Sequence, residues 1–284
     1  MPAPVSSLAG RRCFITGAAS GIGRATALAA AGRGADLYLT DVAAAGLEET
    51  AEMVRAAGGK VTFTRAADVT DHDAVVAMAA EIHAAHGSMD VVMNVAGVSI
   101  WGAIERLDHY HWQRAIDIDL VGPISVLESF VPAMIAAGRG GHVVNVSSAA
   151  GLLGLPWHAP YSAAKYGLRG VSEVLRFDLR PHNIGVSLVC PGGVKTPLVG
   201  TVEIVGVDPE NPKMRKLKDR FERRAVSPEH VAEKILAGIE KNRYLVFTSA
   251  DIRLLFGLQR WFPPAYDLVM RELNRRLVAV ADVR

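Results

Sequence analysis

Short runs of consecutive apolar residues alternate along the chain with longer, alanine-rich segments whose apolar positions recur at helical spacing. The first such pair is Arg12–Thr16 as a strand and Ile22–Gly32 as a helix. Further strands are predicted at Asp36–Thr40, Lys60–Arg65, Val91–Val95, His142–Ser147, Val186–Cys190 and Arg243–Thr248, with helices between them. Strictly alternating strand and helix patterns belong to βαβ units. Asp90-Val-Val-Met-Asn-Val and His142-Val-Val-Asn-Val are apolar on successive residues, as strands are when helices cover both faces of their sheet. The fold class expected is α/β, a Rossmann-type doubly wound parallel sheet of about seven strands with helices on both faces.

Three segments break the rhythm. Residues 197–225 show no clear strand, contain Val207-Asp-Pro-Glu-Asn-Pro, and read as an insertion that ends where Ser227 caps a helix opening with Pro228. The loop Ala149–Pro160 is the second. The third is the tail, Ile252-x-Leu254-Leu255-x-x-Leu258-x-x-Trp261-Phe262 and then Tyr266-x-Leu268-Val269-x-x-x-Leu273-x-x-x-Leu277, two amphipathic helices parted by Pro263-Pro264. This organisation divides the chain into a catalytic domain at residues 1–250 and a helical extension at 251–284.

Composition narrows the functional classes. A formal net charge of +2 over 284 residues leaves no basic footprint for nucleic acid. The two cysteines, Cys13 and Cys190, each lie in an apolar strand pattern and read as buried thiols rather than a disulfide. No uncharged apolar run approaches the ~20 residues that span a bilayer, and the first residues contain no signal-peptide core, so a cytoplasmic protein is expected.

The first strand-to-helix turn reads Thr16-Gly17-Ala18-Ala19-Ser20-Gly21-Ile22-Gly23. Glycines at such a turn let the backbone bend sharply and approach a pyrophosphate, whose charge the helix N-terminus stabilises. Asp41 ends the second strand, twenty residues after Gly21, where a carboxylate accepts hydrogen bonds from adenosine ribose hydroxyls and repels a 2′-phosphate. No Lys or Arg lies within Thr16–Gly23, and none follows Asp41 directly, which favours NAD over NADP.

The chain resembles the short-chain dehydrogenase/reductase (SDR) family over about residues 8–250. The motifs that carry the resemblance are Thr16-Gly17-x-x-x-Gly21-x-Gly23, Asp68-Val69, Asn94-Val95-Ala96-Gly97, Asn145-Val146-Ser147-Ser148, Tyr161-x-x-x-Lys165 and Pro191-Gly192-Gly193-Val194-x-Thr196. The resemblance implies a cofactor site of Gly17, Ser20, Gly21, Ile22, Gly23 and Asp41. It adds Asp68 and Val69 beside the adenine, Asn94, Ala96 and Gly97 along the cleft, and Pro191, Gly192, Val194 and Thr196 at the nicotinamide. Tyr161 and Lys165 complete the set, and no metal ligand is assigned.

Tyr161 and Lys165 stand four apart on a helix predicted over Ser162–Arg180, so both side chains share one face. A free tyrosine, with a pKa near 10, is a poor base at neutral pH, and a neighbouring ammonium favours its phenolate. Ser148 matches the family serine that hydrogen-bonds the substrate oxygen, with Ser147 as its alternate. One position departs from the family pattern: in Ile116-Asp117-Ile118-Asp119-Leu120 the usual asparagine is replaced by Asp119. An aspartate keeps the acceptor, loses the donor, and brings a charge that can pair with Lys165.

Ser99, Ile100 and Trp101, Leu152 to His158, and Val199 with the insertion form an expected pocket wall that is mostly apolar and aromatic, which suits a hydrophobic secondary alcohol or its ketone. His158, three residues before Tyr161, reads as an exposed loop histidine, contact with substrate being the other reading, and stays outside the catalytic set. The lysines and arginines of Asn211–Arg224 read as a solvated helix face, an anionic substrate group being the other reading. The tail is expected to dock on the core or a partner subunit, with contact to an anionic membrane surface as the alternative. Leu168, Val171, Val174 and Phe177 offer either a core face or a surface for the homodimer or homotetramer that the resemblance implies. The competing functions are an NAD(H)-binding sensor or scaffold without turnover, for which Asp119 is the only support, and an NADPH-dependent carbonyl reductase.

Overall fold

In the computed structural model, residues 5–196, 203–207, 211–213, 215, 216 and 223–281 are described. The apolar runs form strands β1 (Arg12–Thr16), β2 (Asp36–Asp41), β3 (Lys60–Ala66), β4 (Val91–Asn94), β6 (Gly141–Val146), β7 (Ile184–Cys190) and β9 (Leu245–Phe247). They pair in the order β3-β2-β1-β4-β6-β7-β9, and every pairing is parallel. Parallel neighbours need crossover connections, and helices α1 (Gly21–Ala31), α2 (Ala44–Ala56), α3 (His72–His86), α4 (His109–Ile116), α5 (Gly122–Ala137), α6 (Ala159–Asp178) and α7 (Pro228–Glu240) supply them. The seven strands predicted from the sequence are the seven of this sheet.

Consecutive apolar residues on each strand serve opposite faces. Cys13, Ile15, Leu37, Leu39, Val91, Met93, Val144 and Val189 pack with Ala27 and Ala30 of α1 and with Val231, Ile235 and Leu236 of α7. Phe14, Tyr38, Val92, Val143 and Val186 pack with Val75, Met78 and Ile82 of α3 and with Val126, Phe130 and Met134 of α5. Phe14 stacks on Phe130 with ring centroids 4.3 Å apart. Cys13 and Cys190 are buried free thiols, and burial pushes the Cys190 thiol up to about 12.

Strand order reverses between β1 and β4, so the carboxyl ends of these strands diverge around a crevice. The Thr16 hydroxyl spans the crevice floor, accepting from Val95 N at 3.0 Å and Ala96 N at 3.1 Å.

Some expectations are revised. The 197–225 insertion does contain a strand, β8 (Glu203–Val205), paired in parallel with β5 (Ile100–Gly102), so Ile100 and Trp101 lie on a strand. Three-residue strands are too short for periodicity to register. Helix α6 opens at Ala159, two residues before Tyr161, because His158 and Pro160 accommodate its first turn. Of the four apolar positions proposed on α6, Leu168 is fully buried and Val171 packs on the core, whereas Val174 and Phe177 are exposed. The stretch His109–Ala137 is long and apolar enough to cross a membrane by length and composition, yet its Val126, Phe130 and Met134 are core residues.

The predicted breaks recur in the structure. Ser227 Oγ accepts from His230 N at 3.2 Å and caps α7. The tail forms α8 (Ala250–Trp261) and α9 (Pro263–Ala281), and it docks on the core. Ile252 packs with Leu152, Leu153 and Leu188, and the Tyr266 hydroxyl accepts from Gly154 N at 2.8 Å.

Removing the Phe130 ring leaves a cavity beneath α5, so Phe130→Ala is expected to lower the unfolding free energy by about 3–5 kcal/mol, read from urea denaturation.

Candidate active site

The turn after β1 is built for close backbone approach. Gly17 has φ +69°, and a Cβ there would stand 2.7 Å from the Ala96 backbone; a Cβ on Gly23 would fall 1.8 Å from the Gly17 carbonyl oxygen. Gly21, also with positive φ (+51°), opens α1. Ser20 precedes the helix as its cap residue but makes no side-chain capping bond, and the first turn carries no acidic residue. The helix N-terminus therefore keeps its free N–H groups and its partial positive charge for an anion.

Asp41 stands beside this turn. Its Oδ2 accepts from Ala19 N at 3.0 Å and its Oδ1 from Ala43 N at 2.9 Å, which fixes the carboxylate at the end of β2. Arg24, which directly follows the turn in sequence, is engaged against it: its guanidinium donates to Ala19 O, Thr50 Oγ1 and Glu49.

Beyond β6 and along α6 lies a group of reactive side chains. Lys165 is 3 % exposed and Asp119 fully buried, with Nζ and Oδ1 3.1 Å apart. Lys165 Nζ also donates to Val146 O at 3.1 Å, and Asp119 Oδ1 accepts from Val98 N at 3.1 Å. Asp119 sits on a π-helical turn, Asp117–Val121, between α4 and α5; such a turn shifts a side chain out of the regular helical register. Burial raises the Asp119 carboxyl pKa against the pull of Lys165. Burial alone would lower Lys165, but the aspartate beside it overrides that, and the ammonium is held above its ordinary value.

Tyr161 lies one turn before Lys165, its ring centroid 5.7 Å from Nζ. Burial pushes the phenol up; Lys165 and a hydrogen bond with Ser148 draw it down, and the Asp119 charge pushes it up again. A tyrosine between an ammonium and a serine hydroxyl, next to a glycine-rich anion cradle, is an arrangement that can release and take up a proton.

Comparison with known proteins places this arrangement. The model of the short chain dehydrogenase family matches residues 11–204. The chain is a short-chain dehydrogenase/reductase. SadH of Mycobacterium tuberculosis, an oxidoreductase by name, is 34 % identical over 267 residues, covering 93 % of this chain and 95 % of SadH. A Burkholderia phymatum SDR solved in complex with NAD superposes with a TM-score of 0.79 at 28 % identity, covering 89 % of this chain and 94 % of that one. A metagenomic SDR solved with NADP gives a TM-score of 0.68 at 32 % identity, covering 85 % and 96 %. The chain is therefore an SDR oxidoreductase from a family whose solved members bind either dinucleotide.

Within this SDR, most predicted positions gather at the carboxyl edge of the sheet. Asp68 Oδ1 accepts from the backbone and hydroxyl of Thr70, at 2.9 and 2.8 Å. Val69 is buried, and a Cβ on Gly122 would meet it at 2.7 Å, so glycine at the start of α5 lets that helix close on the 68–69 turn. Gly97 lies over the ion pair, where a Cβ would stand 2.6 Å from Asp119 Oδ1. Val194 bridges to Val226, and Thr196 N donates to Val194 O at 2.9 Å; the chain leaves for the insertion and returns at one place. Pro191 O accepts from Ala149 N at 2.7 Å, and Gly192 packs against Ile252 of the tail. Val199 lies outside the described residues.

Other assignments change. The Asn94 side chain does not line the cleft: it is 2 % exposed and donates to Asn145 Oδ1 at 2.9 Å, and Asn145 in turn donates to Ser172 Oγ at 2.9 Å, tying β4 to β6 and α6. Ser147 is spent on structure, donating to Lys165 O at 3.1 Å, which leaves Ser148 beside Tyr161. Leu152 and Leu153 are core residues under α8 rather than pocket wall. His158 is buried, not exposed, stacked on Trp101 with centroids 4.2 Å apart and 6.4 Å from the Tyr161 ring. Trp157 before it adopts φ +68°, a costly conformation for a bulky residue, held by Gly102 N donating to Trp157 O at 2.8 Å. Sequence reading missed Gly122, Ser172 and Tyr266; a lone glycine, serine or tyrosine on a helix carries no local mark of its distant partner.

Gly23→Ala is expected to weaken dinucleotide binding more than tenfold, measured by fluorescence titration with NADH and with NADPH. Gly170→Ala on α6, whose Cβ meets nothing within 4 Å, is expected to leave it unchanged.

Proposed function

We propose that this SDR is an NAD-dependent dehydrogenase/ketoreductase for a hydrophobic secondary alcohol, with residues 1–250 as the catalytic domain and 251–284 as an extension that braces it. The observation that carries the reading is Tyr161 set against the buried Lys165 ammonium and Ser148. The residues present fit a dinucleotide. The cradle at Gly17, Ser20, Gly21, Ile22 and Gly23 would hold the pyrophosphate, and the fixed Asp41 carboxylate the adenosine ribose. Asp68, Val69, Ala96 and Gly97 would border the cofactor, with Pro191, Gly192, Val194 and Thr196 at its nicotinamide end. Asp41 disfavours a 2′-phosphate, and Arg24, engaged by Ala19, Thr50 and Glu49, does not offset it.

When bound, NAD+ supplies the hydride acceptor. Ser148 holds the substrate oxygen by a hydrogen bond. Tyr161, as phenolate, would take the hydroxyl proton as the carbinol carbon gives up its hydride to that acceptor, so that the alcohol would become the ketone and its proton would be left on the phenol. In reduction the phenol returns that proton to the carbonyl oxygen. Lys165 steadies the phenolate and can hold the nicotinamide ribose hydroxyls. Asp119 keeps Lys165 charged and in place. Trp101, set against His158, and the partly buried Pro156 and Trp157 in the loop before α6 support an apolar substrate. The exposed Val174 and Phe177 on α6 are where we place self-association into a dimer or tetramer.

The test is turnover of a panel of hydrophobic secondary alcohols with NAD+ and NADP+ side by side. Tyr161→Phe is expected to lower kcat by about 10²- to 10⁴-fold while NADH still binds. Turnover that survives this change sinks the mechanism. A preference for NADP+ sinks the cofactor assignment.

Asp119→Asn removes a negative charge that raises the Tyr161 pKa. Asp119 also holds the Lys165 ammonium up against burial, so the rising limb of kcat/KM for the alcohol is expected to move, to lower pH where Lys165 stays protonated and to higher pH where it does not, read from a pH–rate profile.

A further inference from the structure

His158 has a chemistry that the hydride-transfer scheme does not use. The side chain is 8 % exposed and lies between two aromatic neighbours, Trp101 at 4.2 Å and Tyr161 at 6.4 Å between ring centroids. Its Nδ1 is 2.6 Å from Pro156 O. A carbonyl oxygen only accepts, so Nδ1 carries the proton and donates, which leaves Nε2 as the acceptor nitrogen of a neutral ring. Burial lowers the imidazole pKa to about 4, so this tautomer persists at neutral pH. Among the described residues Nε2 has no hydrogen-bond partner, and it is not among the fully enclosed unpaired atoms. On a side chain that is nine-tenths buried, one turn from the reacting phenol, this acceptor nitrogen has no protein donor among the described residues and is left open to a donor on a ligand.

We propose that His158 is a specificity residue whose Nε2 accepts a hydrogen bond from a second hydroxyl, or another neutral donor, on the substrate. The substrate class is then a compact apolar alcohol or ketone that carries a further hydrogen-bond donor and lays its body against Trp101. A carboxylate at that position would meet the nitrogen lone pair with its own and be rejected. This assignment rests on the alcohol–ketone reading of the Tyr161 site and narrows it.

Binding to the NAD+-loaded protein, with which a ketone cannot be reduced, tests it without requiring turnover. Isothermal titration calorimetry would compare 3- and 4-hydroxycyclohexanone with their methyl counterparts, which have nearly the same shape but no donor. At least one hydroxyketone is expected to bind about tenfold more tightly than its methyl partner, the worth of one buried hydrogen bond. Two variants separate recognition from loop support. His158→Asn can keep the donor to Pro156 O but has nothing at the Nε2 position; the ratio should fall to about one. His158→Gln can place an amide oxygen near Nε2; part of the preference should return. A purely structural histidine gives the opposite order, with Asn retaining the wild-type ratio and Gln losing it, and that order overturns the proposal. Equal binding of both ketones, or binding of neither, to the wild-type protein overturns it as well. Preference for the hydroxyketone with no hydride transfer to or from any panel member would instead overturn the proposed reaction and leave the binding assignment standing.

Discussion

A lysine ammonium that is almost fully enclosed has to be answered by its surroundings, and much of the site follows from how this chain answers Lys165. Removing such a charge from water costs several kcal/mol unless partners replace the solvent. Asp119 Oδ1 and Val146 O supply them, each at 3.1 Å. For Asp119 to reach inward, the helix before α5 widens into its π turn. For Val98 N to reach the same oxygen, the segment after β4 must pass close by, and only glycine at position 97 leaves room. Ser147 then anchors α6 through the Lys165 carbonyl. One buried cation thus sets the spacing of β4, β6, α5 and α6, and Tyr161 inherits its position and its titration from that frame.

The same arrangement explains why two neighbouring asparagines and a serine lie in the interior. Asn94, Asn145 and Ser172 form a chain of side-chain hydrogen bonds that fixes how β4, β6 and α6 register. Its bonds are nearly all satisfied internally, as a buried polar network must be if it is to specify rather than weaken a core. Its rigidity keeps the backbone after β4, where the cofactor cleft begins, at a fixed distance from the helix that carries the phenol.

The sheet was legible because its signal is local. Consecutive apolar residues in β1, β4, β6 and β7 have no other economical arrangement than burial between two helical layers, and the glycine turn between β1 and α1 marks its own place. Tyr161, Lys165 and Asp119 were legible as residues, and the pairing of the last two was anticipated from the place of Asp119 in the family pattern and its charge. What escaped depends on contacts across the fold. Strands β5 and β8 are three residues each and find each other across about a hundred positions of chain. His158 looks like any loop histidine until Trp101 is laid over it, and Leu152 and Leu153 look like pocket wall until Ile252 arrives from the tail. The inward turn of Asn94 is invisible without its partner on the neighbouring strand.

The docking of the tail has a consequence in time as well as space. Tyr266 hydrogen-bonds the Gly154 backbone and Ile252 packs against Gly192, so two loops that frame the site, one on either side of Tyr161 in sequence, are fastened by residues made well after them. A nascent chain can complete six of the seven sheet strands and the Tyr161 helix as soon as residue 190 has left the ribosome, yet those loops stay unfastened until the segment beyond 250 follows. The frame of the site is thus left open until the segment beyond 250 is made, and a nascent chain that has folded those six strands would still be exposing the apolar residues on which α8 belongs.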